Sequence, residues 1–465
     1  MDHDNTADRV IRALRLATSE LRPGNRVPSV RRLVSEHRAS PVTVQRAIAQ
    51  LAAEGLLDPR PGIGTFVASP MAAHPAVEPD TSWQEIALGA NGAAGDSGIE
   101  ALLSLPRPRQ LTLSSGYLDP ALQPTAALES ALARAARRPG AWGRIPVEGL
   151  PELRAWFAAE SGAGFRPSDV VVCSGGQAAL GTTLRSLSSP GDIILVESPT
   201  YIGLLAAART AGLQVLPVPA DTDGVRPDLL EAALRRTGAR LVYLQPLYAN
   251  PHGAVLTPER RARVLATVSE AGAFVIEDDW ARDLAIDREP LAPLAAADPD
   301  GHVVYLRSLT KVAAPGLRVA AIAARGIAAR RLRTIRHIDD FFVSGPLQLA
   351  ALELVGSAAW RRHLKQLRPA LRERRDALIA AVTRELPHVR CGPSPAGGFH
   401  LWCRLPDERD DRLIAQNAAA AGVIVHPGTP AFAGDPPGPF LRLTFAGTGP
   451  AELTEGVRRL ATVVT

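Results

Sequence analysis

The apolar positions of this chain change their rhythm along its length. Over residues 8–22, Val10, Ile11, Leu14, Ala17 and Leu21 recur at helical spacing, and Arg22-Pro23-Gly24 stops the run. After Pro28, Ser29 is placed to cap a short helix through about His37. Ser40 is placed to cap a second, with Pro41 at its first position and Val44, Ala47, Ile48 and Leu51 on one face until Gly55. Joined by Arg38-Ala39, these helices predict a helix-turn-helix. Residues 56–67 then read as two short strands around a Pro/Gly turn, a wing that carries Arg60. Residues 69–110 sustain no period: Ser69-Pro70, His74-Pro75, Glu78-Pro79, Asn91-Gly92 and Pro106-Arg107-Pro108 mark a linker, with one short helix around 83–88. From 111 onward strands and helices alternate as in an α/β fold, with buried strands expected at 170–173, 193–197, 241–245, 274–280 and 303–306. The pattern predicts a winged helix-turn-helix over 1–68, a linker over 69–110 and a larger domain over 111–465, whose smaller C-terminal part begins near Pro346.

Composition narrows the classes. At 465 residues, 46% hydrophobic and 21% charged, the chain is of ordinary globular make-up, and it has no apolar run of the length a membrane span needs. Met1-Asp2-His3-Asp4-Asn5 is acidic and polar, unlike a signal peptide. Cys173, Cys391 and Cys403 are too few and too scattered for a disulfide framework or a structural zinc site. These features predict a cytoplasmic protein without a membrane partner. The net charge of +5 is mild, but residues 9–67 hold ten Arg against Glu20, Glu36, Glu54 and Asp58, a local balance of +6. That is a candidate polyanion-binding face. On the second helix Thr43, Gln45 and Arg46 point outward and could reach base edges, while Arg31 and Arg60 could meet phosphates. A small helical packing module without DNA is the alternative.

Candidate chemistry gathers around one lysine. Lys and Arg together number 52, yet only Lys311 and Lys365 are lysines. Arg serves as well as Lys in a salt bridge, but Arg stays protonated, whereas a desolvated Lys can lose its proton and act as a nucleophilic amine. Lys365 sits in a charged helical pattern, where a solvated face explains it. Lys311 lies at a strand-to-loop junction in Ser308-Leu309-Thr310-Lys311-Val312-Ala313-Ala314-Pro315-Gly316-Leu317-Arg318, where α/β proteins keep their chemistry.

With Ser308 three residues before the lysine and Arg318 seven after it, this segment resembles the lysine motif of fold-type I pyridoxal phosphate enzymes, the aspartate aminotransferase superfamily. The resemblance implies that Lys311 carries pyridoxal 5'-phosphate as an internal aldimine and that Ser308 and Arg318 hold its phosphate. Ser174-Gly175-Gly176-Gln177 opens a helix whose bare amides suit an anion, and Gly175, Gly176 and Gln177 match the family's phosphate loop. Tyr201 matches the aromatic that stacks on the pyridine ring. Asn250-Pro251-His252-Gly253 is similar to the family's Asn-Pro-x-Gly, with Asn250 on the phenolic oxygen. His252 departs from the usual Thr and receives no role beyond surface or packing.

Three consecutive carboxylates, Glu277, Asp278 and Asp279, could bind a divalent metal, though no other hard-ligand pattern accompanies them. In the resemblance Asp278 pairs with the pyridine nitrogen. Trp280 stands where the family has a Tyr that bonds the phenolic oxygen, a role indole does not reproduce. Arg442, between apolar strand residues, matches the arginine that clamps the substrate carboxylate; a structural salt bridge is its alternative.

The span 22–67 resembles a GntR-type winged helix, and its fusion to an aminotransferase-like domain is the layout of the MocR/GabR regulators. That layout implies a homodimer that binds a double-stranded DNA operator and senses an amine or amino acid, or pyridoxal phosphate itself, through Lys311. An aminotransferase with a DNA-binding appendage is the competing class. Gly203 occupies the position where members that sense γ-aminobutyrate carry an Arg, which disfavours that ligand. Trp142-Gly143-Arg144-Ile145-Pro146 provides no evident equivalent of the tyrosine that a partner chain usually contributes to the phosphate.

Overall fold

The computed structural model describes residues 6–68, 80–88, 106–107 and 109–464. The chain forms two compact units, Met1–Asn91 and Gly92–Thr465.

In the first unit, helices Thr6–Glu20, Val30–His37 and Pro41–Ala53 precede the strands Leu57–Arg60 and Gly64–Val67. The caps fall where the sequence places them. Ser29 accepts from the Arg32 amide at 3.3 Å, and Ser40 from the Thr43 amide at 3.1 Å, each worth about 1 kcal/mol of helix stability. Arg38 turns the chain between the helices in the left-handed region, at φ 48°. Val10, Leu14, Leu33, Val44, Ile48, Leu51 and Leu57 close a core of their own. The wing pairs Leu57 with Val67 and Arg60 with Gly64, antiparallel. Gly64 is required at its position: at φ 141°, an added Cβ would lie 2.5 Å from the Arg26 guanidinium. The short helix expected in the linker is present as Ser82–Leu88; the remainder of that linker, apart from residues 80–81, 106–107 and 109–110, lies outside the described residues.

The second unit is built on an eight-stranded sheet. Its order is Val170–Cys173, Ala320–Ala323, Val303–Ser308, Phe274–Asp279, Leu241–Leu244, Ile193–Ser198, Gln214–Asp221 and Gly224–Val225. Only Ala320–Ala323 and Gly224–Val225 run against their neighbours. The strands 170–173 and 241–244 are buried at every position, which explains why their sequences are continuous apolar runs instead of alternating ones. In such a sheet the chemistry collects beyond the carboxyl ends of the strands, and Ser174, Tyr201, Gln245, Asp278 and Lys311 all follow or end a strand.

A four-stranded sheet, Arg390–Cys391, His400–Arg404, Phe440–Thr444 and His426–Pro427, forms the second layer, and the long helix Ala358–Glu385 packs on the final helix Pro450–Val464. This layer is not purely C-terminal. Leu111–Thr112 pairs in parallel with Val423–Ile424, and the helix that contains Pro346, Gly345–Val355, packs on Thr125–Arg137 and Pro151–Glu160. The register opposes Cys391 and Cys403 directly, and the two form a single disulfide, a pairing that the spacing of the cysteines does not reveal. Cys173 is buried and free. Among the described residues no helix is long and apolar enough to cross a membrane.

Candidate functional site

The strand Val170–Cys173 turns at Gly175 into the helix Gly176–Leu187, whose first-turn amides point into a cleft. Gly175 has φ 92°, and a Cβ there would lie 2.5 Å from Arg318 Nη2. Arg318 itself sits at φ 49° and donates to the Ser174 carbonyl at 3.0 Å. A Cβ on Gly176 would touch Ser308 at 3.6 Å. Two glycines, a guanidinium, a hydroxyl and a helix N-terminus therefore converge, and this is the donor set a phosphate dianion requires. The Tyr201 hydroxyl donates to Gln177 at 3.2 Å, while Gln177 donates to the Gly203 carbonyl at 2.8 Å. A Cβ at Gly203 would fall 2.3 Å from the Tyr201 ring, so any larger residue there displaces the aromatic.

Deeper in the cleft, Lys311 Nζ donates to the Gly116 carbonyl at 2.9 Å and lies 3.9 Å from the centre of the Tyr117 ring. Burial, and then the Arg442 guanidinium, push the amine down to about 7, against the opposing pull of Asp278. Asp278 accepts from the Tyr243 hydroxyl at 2.6 Å and from Gln245 at 2.8 Å; burial raises its pKa and these two hydrogen bonds oppose the rise. Asn250 is fixed through its amide to Gln245 Oε1 at 2.8 Å. Arg442, 3% exposed, donates to Asn250 Oδ1 at 3.2 Å and to the Ser114 carbonyl at 2.9 Å, and its Nε is buried without a partner. Burial lowers this guanidinium to about 10. A buried cation with a free donor and no carboxylate is costly, which argues against the salt-bridge alternative and for a ligand anion.

Trp280 does not point a polar group at these residues. Its ring stacks on His400 at 5.5 Å and meets Phe399 edge-on at 5.5 Å, and its Nε1 is buried and unpartnered. The carboxylate run does not form a metal site either, because the strand sends neighbours to opposite faces. Glu277 accepts from the Leu294 and Ala295 amides, Asp279 from Tyr305 and Arg282, and Asp278 faces the cleft. Among the described residues no cluster suits a metal ion.

Several residues of this cleft carry no signal in the sequence. Ser114, Gly116 and Tyr117 come from a loop that precedes every motif of the aminotransferase-like domain. His400 is buried beside Arg442 and Lys311, which together with burial hold its pKa well below the usual value. Tyr243 and Gln245 were findable: strand alternation puts both on one face, and the parallel register pairs Leu244 with Glu277, one step before Asp278.

On the first unit, Arg31, Gln45 and Arg46 are exposed. The Thr43 hydroxyl is engaged 2.8 Å from Ser40 in the helix cap, and Arg60 pairs with Asp58 at 2.9 Å and lies over the Phe66 ring. The wing arginine is thus held in place by its own strand pair.

The chain is similar to proteins of two kinds. The profile described as aminotransferase class I and II matches residues 108–460, and that of the bacterial regulatory proteins of the gntR family matches residues 6–67. The uncharacterized HTH-type transcriptional regulator YdcR of Escherichia coli is 30% identical over 89% of this chain and 88% of its own. The probable rhizopine catabolism regulatory protein MocR of Rhizobium meliloti is 28% identical over 96% of this chain and 90% of its own. Among solved structures, the α-aminoadipate aminotransferase of Thermus thermophilus, in complex with N-(5'-phosphopyridoxyl)-L-leucine, superposes with a TM-score of 0.77 at 33% identity, covering 82% of this chain and 98% of that one.

Proposed function

Because the chain belongs to the aminotransferase class I and II family and carries a gntR-family domain ahead of it, we propose that it is a DNA-binding transcriptional regulator that senses an amine or amino acid in its aminotransferase-like cleft. Pyridoxal phosphate is the cofactor of this fold, and when bound it supplies an electron-accepting ring. Gly175, Gly176, Gln177, Ser308 and Arg318 would hold its phosphate, Tyr201 its ring face, Asn250 its phenolic oxygen, Asp278 its ring nitrogen and Lys311 its carbonyl carbon.

Each of these side chains has work that follows from its surroundings. Lys311, pushed down to about 7 by burial, gives up its proton more readily than a solvated lysine, so it can both attack a carbonyl and carry a proton. Tyr243 and Gln245 orient Asp278 and favour its charged form against the effect of burial. Arg442 carries the reading: its unpartnered Nε and buried charge, in the cleft that holds Lys311, suit the α-carboxylate of an amino acid. Trp280 leaves the phenolic oxygen without the phenol hydrogen bond usual in the family, which favours ligand capture over rapid turnover. In the winged unit, Thr43, Gln45 and Arg46 would read base edges and Arg31 and Arg60 would meet phosphates. The reading takes the protein as a homodimer of chains divided into 1–68, 69–110 and 111–465.

A second reading, an aminotransferase with a DNA-binding appendage, is favoured by the lowered pKa of the Lys311 amine and by the likeness to the Thermus enzyme. One experiment separates them. The full-length holoprotein is incubated with single amino acids and a keto acid while visible absorbance, new amino acid and DNA mobility are followed. A ligand-dependent change in absorbance and in DNA mobility supports the regulator; sustained turnover with unchanged DNA binding overturns it.

A further inference from the structure

A cavity of substantial size lies apart from the cleft around Lys311. It has a volume of about 910 Å³, and Lys311, Asp278, Ser308, Arg318 and Arg442 all lie outside its lining. It opens between the far edge of the large sheet, at Pro217 and Asp221, and the face of the small sheet that carries Trp402 and Phe440. We propose that this cavity is a second, non-covalent ligand site that takes an organic ammonium ion with an aromatic or branched apolar body.

The floor supplies the apolar half of that chemistry. Trp402 stacks on Phe440 with ring centres 4.9 Å apart and planes 8° from parallel, and Phe432 leans on the pair at 5.8 Å. Such aromatic faces attract both hydrocarbon and a positive charge. His252 lines the same cavity. Both its ring nitrogens are buried without a hydrogen-bond partner, and burial holds the ring neutral, lowered to about 4. A neutral imidazole presents one lone pair and one N–H, and leaving both unmet in a roomy cavity costs stability unless a ligand or water meets them.

The rim supplies the sign of the charge. Asp221, Asp223, Glu289 and Asp435 stand on it against Arg288. Arg260 occupies Asp221 and Arg368 occupies Glu289, at 2.6 and 2.7 Å. Asp435 is exposed, and the nearest cation to Asp223 is Arg260 at 3.9 Å. In a chain of net charge +5, an acidic rim over an aromatic floor selects cations by contrast with the rest of the surface.

The two ligand sites share structure. His252 lies two residues after Asn250, which holds Arg442. Trp402 is directly opposite Arg442 in the strand pair 400–404 with 440–444, so both side chains stand on one face. A ligand against Trp402 would therefore rest on the strand pair that also carries the cleft's Arg442.

The test uses full-length holoprotein reduced with borohydride, so that the cofactor is fixed to Lys311 and cannot pass to an added amine. Calorimetric titration with phenethylamine should reveal one site per chain, with phenethyl alcohol and hydrocinnamate weaker by roughly tenfold or more. Trp402→Leu and the cavity-filling His252→Phe should each lose a similar factor. Asp435→Asn, at an exposed position, should weaken the amine but not the alcohol, which covers the case in which a core variant folds poorly. Absence of binding, preference for the carboxylate, or equal binding by the wild type and all three variants overturns the proposal. The absorbance response of unreduced protein to amino acids reports on Lys311 separately, so either reading can fail while the other stands.

Discussion

The cleft and the winged unit are both equipped to meet anions with basic residues, and they hold those residues in opposite ways. Arg442 is 3% exposed, is fixed by Asn250 and Ser114, and has its pKa lowered by burial. Arg31 and Arg46 are exposed on short helices that owe their stability to caps and a small core. A buried guanidinium is selective because the cost of its charge is offset only by a partner of matching shape. An exposed one is general, because water serves it nearly as well as phosphate does, and its contribution falls with salt. On the proposed reading, the contrast teaches that a single residue type is suited to small-molecule recognition or to polyanion recognition according to burial.

The largest expected effect falls on the single amine. Lys311→Ala should abolish the visible absorbance of the holoprotein and its response to amines, since no other side chain in the cleft can form a Schiff base. DNA affinity measured without ligand should survive; its loss as well would break the separation of the two regions.

Next in size is Arg442→Met. Losing a charge-assisted hydrogen bond costs about 1.5–3 kcal/mol, so α-amino acids should bind roughly tenfold to a hundredfold more weakly, read from the absorbance change. Simple amines without a carboxylate should be nearly unaffected, and equal losses for both would show that Arg442 supports the fold instead of the ligand.

In the winged unit Arg46→Ala should cost about 1–3 kcal/mol on a specific site, while Arg31→Ala and Arg60→Ala should weaken specific and random DNA alike and lower the salt slope by about one. Mobility-shift titrations at several salt concentrations distinguish these patterns. If Arg46→Ala affects random DNA as much as specific DNA, it belongs with the phosphate contacts.

The last effect is a pH dependence of cofactor-free stability. Lys311 is lowered from 10.5 to about 7 in the folded state, so below about pH 7 both states hold the proton and the full cost of the buried charge remains. Between about pH 7 and pH 10 the unfolded chain binds a proton that the folded one does not, so stability rises with pH and levels off above. The melting temperature of the cofactor-free protein minus that of Lys311→Met should climb over this window. A flat difference would place the amine in solvent, as with the exposed arginines.

Much of this organisation is legible in the residues alone. Ser29, Ser40, Pro41 and Gly55 punctuate the winged unit because capping acts over three or four residues, a distance that sequence displays directly. The continuous apolar strands announce a two-sided sheet, and the scarcity of lysine singles out Lys311, because no other side chain supplies a buried, strongly nucleophilic amine. What the sequence could not decide rests on contacts across long separations. The Tyr243 hydroxyl reaches Asp278 across 35 residues and Arg442 reaches the Ser114 carbonyl across 328. The Cys391–Cys403 disulfide depends on the register of two strands whose cysteines lie 12 residues apart, and the His400 ring under Trp280 and the cavity between Trp402 and His252 exist only once distant parts of the chain come together. Backbone carbonyls such as those of Gly116 and Ser114 are present at every residue and carry no signature of type. Their positions, and with them the electrostatics of Lys311 and Arg442, are set by tertiary packing, because burial and the distance between charges are properties of the folded volume and not of the order of residues.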